Sequence, residues 1–591
     1  MISRSHKLIV RFVNYFHERL TARQFFILSS VLVGLSAGLA AVILKFFVHF
    51  ISVRVEYYAD SYEDFFLFTL FPLVGITLTV LYIRYGLKGK LKKGSAEIVY
   101  SIAKESSVLP KTEMYGHILT SALTVGFGGS TGLESPIVSS GSAIGSNYAK
   151  TYRLSYKERT ILLGCGAAAG IAAVFNSPIA GVLFAVEVLL ADVTVSAFIP
   201  LIIAAASGAL LSKIVLEEGV VLSFTLQQSF DYHNVPFYIV LGILSGLVSL
   251  YYGKTFNHFE HRMSLVNNPW KRAVYGGLIL CVLLIFFPPL FGEGYESIKY
   301  LSSQNAAQLV QNSLLGNFIQ EEWQVLLFLM ALIFLKAIAA AITIGSGGNG
   351  GNFGPSLFMG AYVGFAFSRL INMIGISKIP ESNFTLVGMA GILSGIFHAP
   401  LTAIFLIAEI TGGYGLMIPL MIVSSISITV THFFQPLSME GQKLTGKLKL
   451  SIEDRDKYLL SKLDLSDLIE TSFLPVRPTD HLRDLIQTIS RSKRNTFPVV
   501  KDDGTLVGLI HLDNVRETIF NHELYDKVIV KELMHPPAAT ISPNDSLHRV
   551  LKKFDETNQW NLPIVEKGKY IGFLSKASIL TKYRTELLKT V

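Results

Sequence analysis

Charge and cysteine are both scarce in this chain of 591 residues. Only 16% of the residues are charged, and the two cysteines, Cys165 and Cys281, lie far apart in apolar stretches. That placement predicts neither a disulfide framework nor a cysteine metal site. A content of 51% hydrophobic residues and a mean hydropathy of +0.47 are membrane values, so the composition excludes an ordinary soluble protein.

Other absences narrow the function class. The net charge of +8 comes without a basic stripe interleaved with aromatic residues, so we expect no nucleic-acid partner. The histidines show no metal-ligand spacing, and no nucleophile–base pair stands out, so neither a metal site nor an enzyme is expected. The N-terminus lacks the compact apolar core and small-residue cleavage site of a signal peptide.

Long apolar runs, by contrast, recur between about residues 25 and 434. Examples are Phe25–Phe50, Phe65–Tyr82, Val274–Leu290, Val325–Ile344 and Leu416–Phe433. These runs are long enough to cross a bilayer, and they predict a multi-pass protein of the plasma or inner membrane in contact with lipid. Basic residues before the first run place the N-terminus in the cytoplasm, and we expect the C-terminus there too.

The hydropathy changes character near Pro436, where a polar region begins. We therefore predict five segments. They are a cytoplasmic N-terminal amphipathic segment 1–24, a transmembrane pore domain 25–436 with halves of about 25–225 and 230–436, a linker 437–463, and two soluble modules 464–523 and 524–591.

The polar region contains an internal repeat. Phe497-Pro-Val-Val with a following Gly-Leu-Ile matches Leu562-Pro-Ile-Val with a following Gly-Phe-Leu, and a Pro-x-Asp precedes each copy. Each copy reads as an amphipathic helix and two β-rich runs around a glycine turn. The repeat resembles a tandem pair of CBS modules.

A second repeat divides the membrane part. Gly132-x-x-x-Pro136 is matched by Gly351-x-x-x-Pro355, about 220 residues later, and Phe175-x-x-Pro178 is matched by Phe397-x-x-Pro400. Two homologous halves with glycine-interrupted spans predict a binding site near the bilayer midplane, built from the ends of discontinuous helices.

The segment around Glu134 carries the chemistry. A glycine-rich break, Gly126 to Gly132, precedes Glu134-Ser-Pro, which is typical of a helix that begins inside the membrane. Its free N–H groups and those after Gly351 are suited to bind an anion without a full positive charge. The Glu134 carboxylate can occupy that site as a tethered competitor, so we predict proton- or voltage-sensitive gating by this residue.

These motifs resemble those of the CLC chloride channel and transporter family over about residues 22–444. The resemblance implies an all-α polytopic membrane protein with two homologous halves, expected to be inverted, with re-entrant or broken helices, followed by an α/β cytoplasmic CBS pair. It also implies a homodimer, and chloride or another small anion as the bound ion. The implied anion-binding positions are Gly132, Leu133, Glu134, Gly351, Asn352 and Phe353.

The chain departs from the family pattern in the pore. Lys93 aligns with the usual chloride-binding serine, whereas a shift of two residues gives that role to Ser95. The family's pore tyrosine aligns with Glu440 or, with another gap, with Ser438, and the missing hydroxyl predicts a more open inner gate. These residues are the inner-gate candidates.

A further departure concerns protons. Where many exchangers of the family carry two successive glutamates, this chain has Glu187 and Val188, so the inner acid is absent. We therefore predict a voltage- or proton-gated chloride channel, with a chloride/proton antiporter on the same fold as the alternative. A CBS-bearing magnesium transporter is a remote alternative, because that function needs oxygen ligands for a hard cation.

We expect that the protein requires no cofactor, although the CBS pair could bind adenine nucleotide. Modules of this type often bind adenine nucleotide through a hydroxyl residue and an aspartate three positions later. Those positions are His511 with Asn514 and Ser575 with Ser578. No aspartate is present there, so nucleotide binding and a purely structural role remain equal alternatives.

Overall fold

A computed structural model describes residues 19–61, 65–190, 195–216, 224, 228–303, 306–311, 313–448, 465–543, 545 and 547–589. The chain divides into two compact units, Met1–Ile452 and Glu453–Val591. Most of the predicted N-terminal segment 1–24 and of the predicted linker 437–463 lies outside the described residues.

The first half of the first unit is built from eight described helices. They are α1 (Ala22–Ser61), α2 (Phe65–Leu81), α3 (Ser95–Lys104), α4 (Glu113–Gly126), α5 (Glu134–Thr151), α6 (Tyr156–Phe175), α7 (Pro178–Phe184) and α8 (Val195–Val215). One π-helical turn, Tyr82–Gly86, continues α2, and another, Ala185–Leu189, continues α7.

The second half is built from ten described helices. Its described helices are α9 (Val235–Ser264), α10 (Pro269–Phe286), α11 (Tyr295–Ser302), α12 (Gln308–Gln311), α13 (Glu322–Gly345), α14 (Phe353–Ile374), α15 (Glu381–Phe397), α16 (Pro400–Ile410), α17 (Met417–Phe434) and α18 (Met439–Leu448). Short 3-10 turns lie at Tyr232–Asn234, Pro288–Leu290 and Gly316–Phe318.

Nine helices in the described part of the chain are long and apolar enough to cross a membrane. Apolar side chains on their outer faces are exposed, for example Ile202 (53%), Leu278 (47%) and Phe334 (51%). Lipid is the solvent that such faces require. Two further apolar helices, α7 and α16, are too short to span and start at a proline. The expected polytopic helical fold with broken helices is confirmed.

Close helix packing repeats in both halves. Gly141 of α5 faces Gly166 of α6, and a Cβ on either residue would overlap the backbone of the other. Gly360 of α14 and Gly388 of α15 form the same contact. Glycine allows these helix axes to approach closely, which is a common device of membrane helices. The repeat in sequence is therefore a repeat in packing.

The second unit contains two α/β repeats. Its described elements are α19 (Leu482–Arg491), β1 (Thr496–Val500), β2 (Leu506–His511), α20 (Leu512–Val515), α21 (Val530–Leu533), α22 (Leu547–Thr557), β3 (Asn561–Glu566), β4 (Lys569–Ser575) and α23 (Lys576–Lys589). The 3-10 turns are Ser466–Leu468, Thr518–Phe520 and His522–Leu524.

Each repeat has one antiparallel strand pair. Strand β1 pairs with β2, and β3 pairs with β4, and the turns contain Gly504 and Gly568, both with a φ of 85°. That left-handed conformation favours glycine and explains the matched glycines of the two copies. The repeats contact each other through these turns, because Tyr570 donates its N–H to the Gly504 carbonyl at 2.9 Å.

Candidate functional site

Helices α5 and α14 begin next to each other in the interior of the first unit. Gly132 donates its N–H to the Gly351 carbonyl at 3.0 Å, and Gly351 donates to the Gly132 carbonyl at 2.9 Å. The pairing requires glycine, because a Cβ on Gly351 would come within 2.5 Å of the Ser135 Cβ. As a result, the N–H groups of both first turns lie close together. These groups have no partner within their own helices, and such groups favour an anion.

A carboxylate already occupies part of this region. Glu134, the first residue of α5, is 1% exposed. Its Oε2 accepts a hydrogen bond of 3.2 Å from the Gly354 N–H in the first turn of α14. Its Oε1 accepts a hydrogen bond from the hydroxyl of Tyr295, at the start of α11. The side chain of Glu134 therefore binds the helix end that faces it.

A small cavity adjoins Glu134. Its lining combines two acids, two hydroxyls, one amide and three aromatic rings, namely Ser95, Glu134, Ser135, Phe184, Asn352, Phe353, Phe397 and Glu440. The ring of Phe353 packs against those of Phe184 and Phe397, with centroids 6.0 and 5.6 Å apart. Aromatic ring edges carry partial positive charge, which suits an anion better than a cation.

Two predicted anion-binding positions have backbone or side-chain partners. The Asn352 amide oxygen accepts a 3.0 Å hydrogen bond from the buried Tyr252 hydroxyl, so its nitrogen remains available as a donor. The Leu133 N–H donates to Glu293 Oε1 at 3.1 Å. The structure thus brings Glu134, Asn352 and Phe353 to one cavity and places a second carboxylate on Leu133.

The alternatives at the start of α3 differ in position. Ser95 lines the cavity. Lys93 instead donates its ammonium group to the carbonyls of Gly347 and Gly348, at 2.7 and 2.9 Å, just after α13 ends. Those carbonyls lie just beyond the C-terminal, negative end of α13, where a lysine is stabilised. The geometry therefore favours Ser95 over Lys93 as a residue that could meet an anion.

The two inner-gate candidates also differ. Glu440 lines the cavity, and its Oε2 accepts a 3.2 Å hydrogen bond from the Ala96 N–H in the first turn of α3. Ser438 accepts a 3.2 Å hydrogen bond from the Gly441 N–H and caps α18. The more open inner gate expected from the missing tyrosine stays a prediction, and the residue at the Glu440 alternative is an acid that lines the cavity.

Glu187 and Val188 lie away from this cavity. Glu187 accepts hydrogen bonds from the Leu401 and Thr402 N–H groups at the start of α16. Its repeat partner Glu409 accepts hydrogen bonds at 3.1 and 2.9 Å from the first turn of α7. Val188 packs against the hydrophobic core. The two acids cap each other's helices, which supports the structural role expected for them.

Glu293 and Tyr295 were not predicted from the sequence. Both follow α10 in the segment Gly-Glu-Gly-Tyr, in which an acid lies between two glycines and a phenol follows the second glycine, after an apolar run. This local pattern is the feature of the sequence that could have identified the two residues. Lys336 lies near them, fully buried, and donates to the Ser130 hydroxyl at 2.9 Å and the Gly292 carbonyl at 3.1 Å.

Comparison with known proteins decides the family. The family described as voltage gated chloride channel matches residues 74–432. The chain belongs to this CLC family. CBS domains match residues 465–521 and 530–584, so the expected CBS pair is confirmed as well. Members of the CLC family are channels or transporters.

Curated CLC relatives come from bacteria and a plant. The putative chloride channel protein ClcB-like of Ralstonia nicotianae (strain ATCC BAA-1114 / GMI1000) is 29% identical over 61% of this chain and 82% of its own length. Chloride channel protein CLC-f of Arabidopsis thaliana is 24% identical over 79% of this chain and 68% of its own length.

Solved structures show the same fold. A slow cyanobacterial Cl⁻/H⁺ antiporter has a TM-score of 0.62 at 21% identity and covers 73% of this chain and 99% of its own. A eukaryotic CLC transporter has a TM-score of 0.61 at 17% identity and covers 94% of this chain and 97% of its own. The CLC fold therefore extends over the pore domain.

The nucleotide candidates of the CBS pair fall into two groups, one at the end of each strand pair. In the first repeat, the His511 ring nitrogen lies 3.2 Å from the Thr496 hydroxyl, and Asn514 lies on α20. In the second repeat, the Ser575 hydroxyl donates to Glu470 at 2.6 Å and accepts from the Ser578 N–H at 2.9 Å. An incoming ribose would have to displace the bond to Glu470.

Proposed function

We propose that this CLC protein moves chloride across the membrane and that Glu134 is its gating carboxylate. This proposal rests on the hydrogen bond from the Gly354 N–H to Glu134 Oε2, in the wall of the small cavity. This N–H group is one that an anion in the cavity would need. The ionised side chain and the anion therefore compete for the same donor.

Opening requires that Glu134 leave the Gly354 N–H. A hydrogen bond to a charged acceptor contributes about 1.5–3 kcal/mol, so an arriving anion can replace the carboxylate without a large energy difference. Protonation has the same effect, because a neutral carboxyl is a weaker acceptor. Both routes make chloride flux increase with chloride concentration and with acidity.

The described lining of the cavity contains no lysine or arginine. An anion would therefore be bound only weakly there. Nearby Lys336 is engaged by Ser130 and Gly292, and Lys93 by two carbonyls. Backbone and amide dipoles can bind a halide strongly enough to admit it and weakly enough to release it.

A gated channel is our leading proposal, because apolar Val188 stands where many exchangers carry the inner acid. The second candidate is a chloride/proton antiporter. In its favour, Glu440 offers another titratable group in the cavity. A magnesium transporter lacks comparable support, since the described residues contain no group of three or more His, Cys, Asp or Glu side chains placed to hold a metal.

Paired recordings of chloride and proton flux in proteoliposomes test the proposal. We expect chloride efflux without uphill proton movement, and we expect Glu134→Ala to pass chloride while losing the pH dependence that Glu134 carries. Uphill proton transport at a fixed ratio would establish the antiporter instead. Loss of all anion flux in a folded Glu134→Ala protein would refute the gate assignment.

The oligomeric state, the membrane and the orientation of the termini are also proposals. We propose a homodimer with one pore in each subunit, in the plasma or inner membrane, with both termini in the cytoplasm. Mass measurement in detergent and protease protection of terminal tags test these points. Adenine nucleotide at the CBS pair is tested by binding of labelled ATP to the full chain, with Ser575→Ala as the variant.

A further inference from the structure

Glu293 contacts the start of α5 beside Glu134. Its Oε1 accepts the Leu133 N–H at 3.1 Å, so its side chain binds the residue that directly precedes Glu134. The chain then turns at Gly294, whose φ of 84° favours glycine, and α11 begins with Tyr295, which donates its hydroxyl to Glu134. One short segment therefore brings an acid and a phenol to the same helix start.

The two acids differ in their access to solvent. Glu134 is 1% exposed, whereas Glu293 is partly exposed. A carboxyl group that touches water exchanges protons with it directly, and a fully buried carboxyl group depends on a neighbour for that exchange. Glu293 can therefore take up protons from water that Glu134 does not reach.

Glu293 lies toward the side of the membrane opposite to α18. Lys443 of α18 forms an ion pair of 2.8 Å with Glu260 near the end of α9, so these two parts of the chain lie on one side. Helix α10 begins shortly after α9 and is long and apolar enough to cross the membrane, so it ends on the other side, just before Glu293. With the C-terminus in the cytoplasm, as proposed above, Glu293 faces the outer solution.

Charges of both signs surround Glu293. The titratable groups that face it in the described part of the chain are Lys45 on α1, Glu134 on α5, Tyr295 on α11 and Lys336 on α13. Lys336 is fully buried and donates to the Gly292 carbonyl at 3.1 Å, one residue before Glu293. Lys45 donates to the carbonyls at the end of α6. The two ammonium groups favour the ionised form of Glu293, whereas ionised Glu134 opposes it.

Two acids placed side by side do not ionise independently. Burial and the charge of a neighbouring carboxylate both oppose the loss of the second proton. Such a pair keeps one proton over a wide pH range, and its two titration steps belong to the pair and not to either residue.

We propose, on the basis of the function proposed above, that Glu134 and Glu293 share one proton and that Glu293 supplies it to the gate. In this transfer one O–H bond breaks on Glu293 and one forms on Glu134, so the charge of the pair does not change. Neutral Glu134 releases the Gly354 N–H to an anion, and ionised Glu293 is stabilised by Lys45 and Lys336. Glu293 then takes up a new proton from the outer solution.

Infrared titration of the purified protein tests the pair without a flux measurement. Protonated carboxyl groups have an absorption band of their own, and difference spectra between wild type, Glu134→Gln and Glu293→Gln follow its loss as the pH rises. In each single variant we expect the remaining acid to release its proton about one pH unit below the last proton of the wild-type pair. Glu296→Gln, an exposed acid on α11, is the control and should match wild type.

Chloride efflux from proteoliposomes at saturating chloride is the second measurement. In Glu293→Gln, Glu134 ionises more readily because a neighbouring negative charge is gone. The pH of half-maximal flux should therefore fall by about one unit, which is a tenfold higher proton concentration. Glu293→Asp keeps the charge and should restore the wild-type profile.

An unchanged proton-release pH in both single variants would overturn the pair, and an unchanged flux midpoint in Glu293→Gln would overturn its role at the gate. If Glu293→Gln does not fold, the spectra of Glu134→Gln alone decide on the pair. Both negative results leave the chloride function intact. Absence of chloride efflux in wild type would instead overturn the proposed function, and the infrared result would still stand.

Discussion

Tyr295 donates its phenolic hydroxyl to the carboxylate of Glu134, although the two residues are 161 positions apart in sequence. Both side chains are buried. The phenol and the Gly354 N–H together hold the carboxylate from two sides. A gate held by two donors opens less readily than one held by a single donor.

Replacing Tyr295 by phenylalanine should therefore favour the open state. The substitution removes one hydrogen bond to a charged group, and we expect chloride efflux near neutral pH to rise by about tenfold. Tyr300→Phe, on the same helix and 42% exposed, is the matched control. Equal efflux from the two variants would show that the Tyr295 hydroxyl does not restrain Glu134.

Glu293 places a second acid beside the gate. Its side chain accepts a hydrogen bond from the Leu133 N–H, one residue before Glu134. Glu293→Gln keeps an acceptor for that N–H but cannot ionise, so we expect a lower chloride concentration at half-maximal flux, by about threefold to tenfold, under alkaline conditions in which the wild-type acid is ionised. Concentration-dependent efflux measures the change, and Glu296→Gln serves as the exposed control. An unchanged half-saturating concentration would argue against an electrostatic effect of Glu293.

The hydroxyl of Thr402 stabilises the contact between α7 and α16. It is fully buried and donates to Glu187 Oε2 at 2.7 Å. Thr402→Val preserves the shape but leaves the carboxylate short of one donor, which should cost about 1–3 kcal/mol of stability. Thermal unfolding in detergent should show a lower midpoint than for Thr429→Val, whose exposed hydroxyl bonds only within its own helix. Equal midpoints would contradict the prediction.

We expect His511 to make the first CBS repeat less stable in acid. Burial lowers the pKa of His511, and the nearby His535 lowers it further. The folded repeat therefore favours the neutral ring, and this contribution to stability is complete above about pH 6.5, the pKa of an unfolded histidine, and is lost as the pH falls toward the folded-state pKa.

Hydrogen exchange of the β1 and β2 amides in the full chain measures this loss. After correction for intrinsic rates, protection should fall between about pH 7 and pH 5 in wild type. His511→Gln should remove that dependence, whereas His522→Gln, at an exposed position, should keep it. A pH dependence that survives in His511→Gln would assign the effect to another group.

Local patterns in the sequence were sufficient for much of the fold. Glycine breaks followed by proline predicted helices that begin inside the membrane at Glu134 and after Gly351, and α5 and α14 begin there. The repeat near Pro498 and Pro563 predicted two strand pairs with glycine turns, which the structure contains. These features depend on residues only a few positions apart, and backbone preferences act over that range.

The candidate site was only partly predictable. Glu134, Asn352 and Phe353 were named from their motifs and share one cavity. Tyr295 and Glu293 were not named, because nothing near them in sequence shows which helix end they meet. The choice between Lys93 and Ser95 was also open, since an alignment gap of two residues cannot be decided without the positions of the neighbouring helices.

By itself, the sequence determined that this chain spans a membrane in two related halves, carries a matched helix-start motif in each half and has one acid in the first of these motifs. The tertiary structure alone decided which distant groups complete the site: the Tyr295 hydroxyl and Gly354 N–H on Glu134, and the Glu440 carboxylate on Ala96. The reason is physical. Helix starts follow from local backbone preferences, whereas a hydrogen bond between residues far apart in sequence forms only when helix packing brings donor and acceptor within about 3 Å.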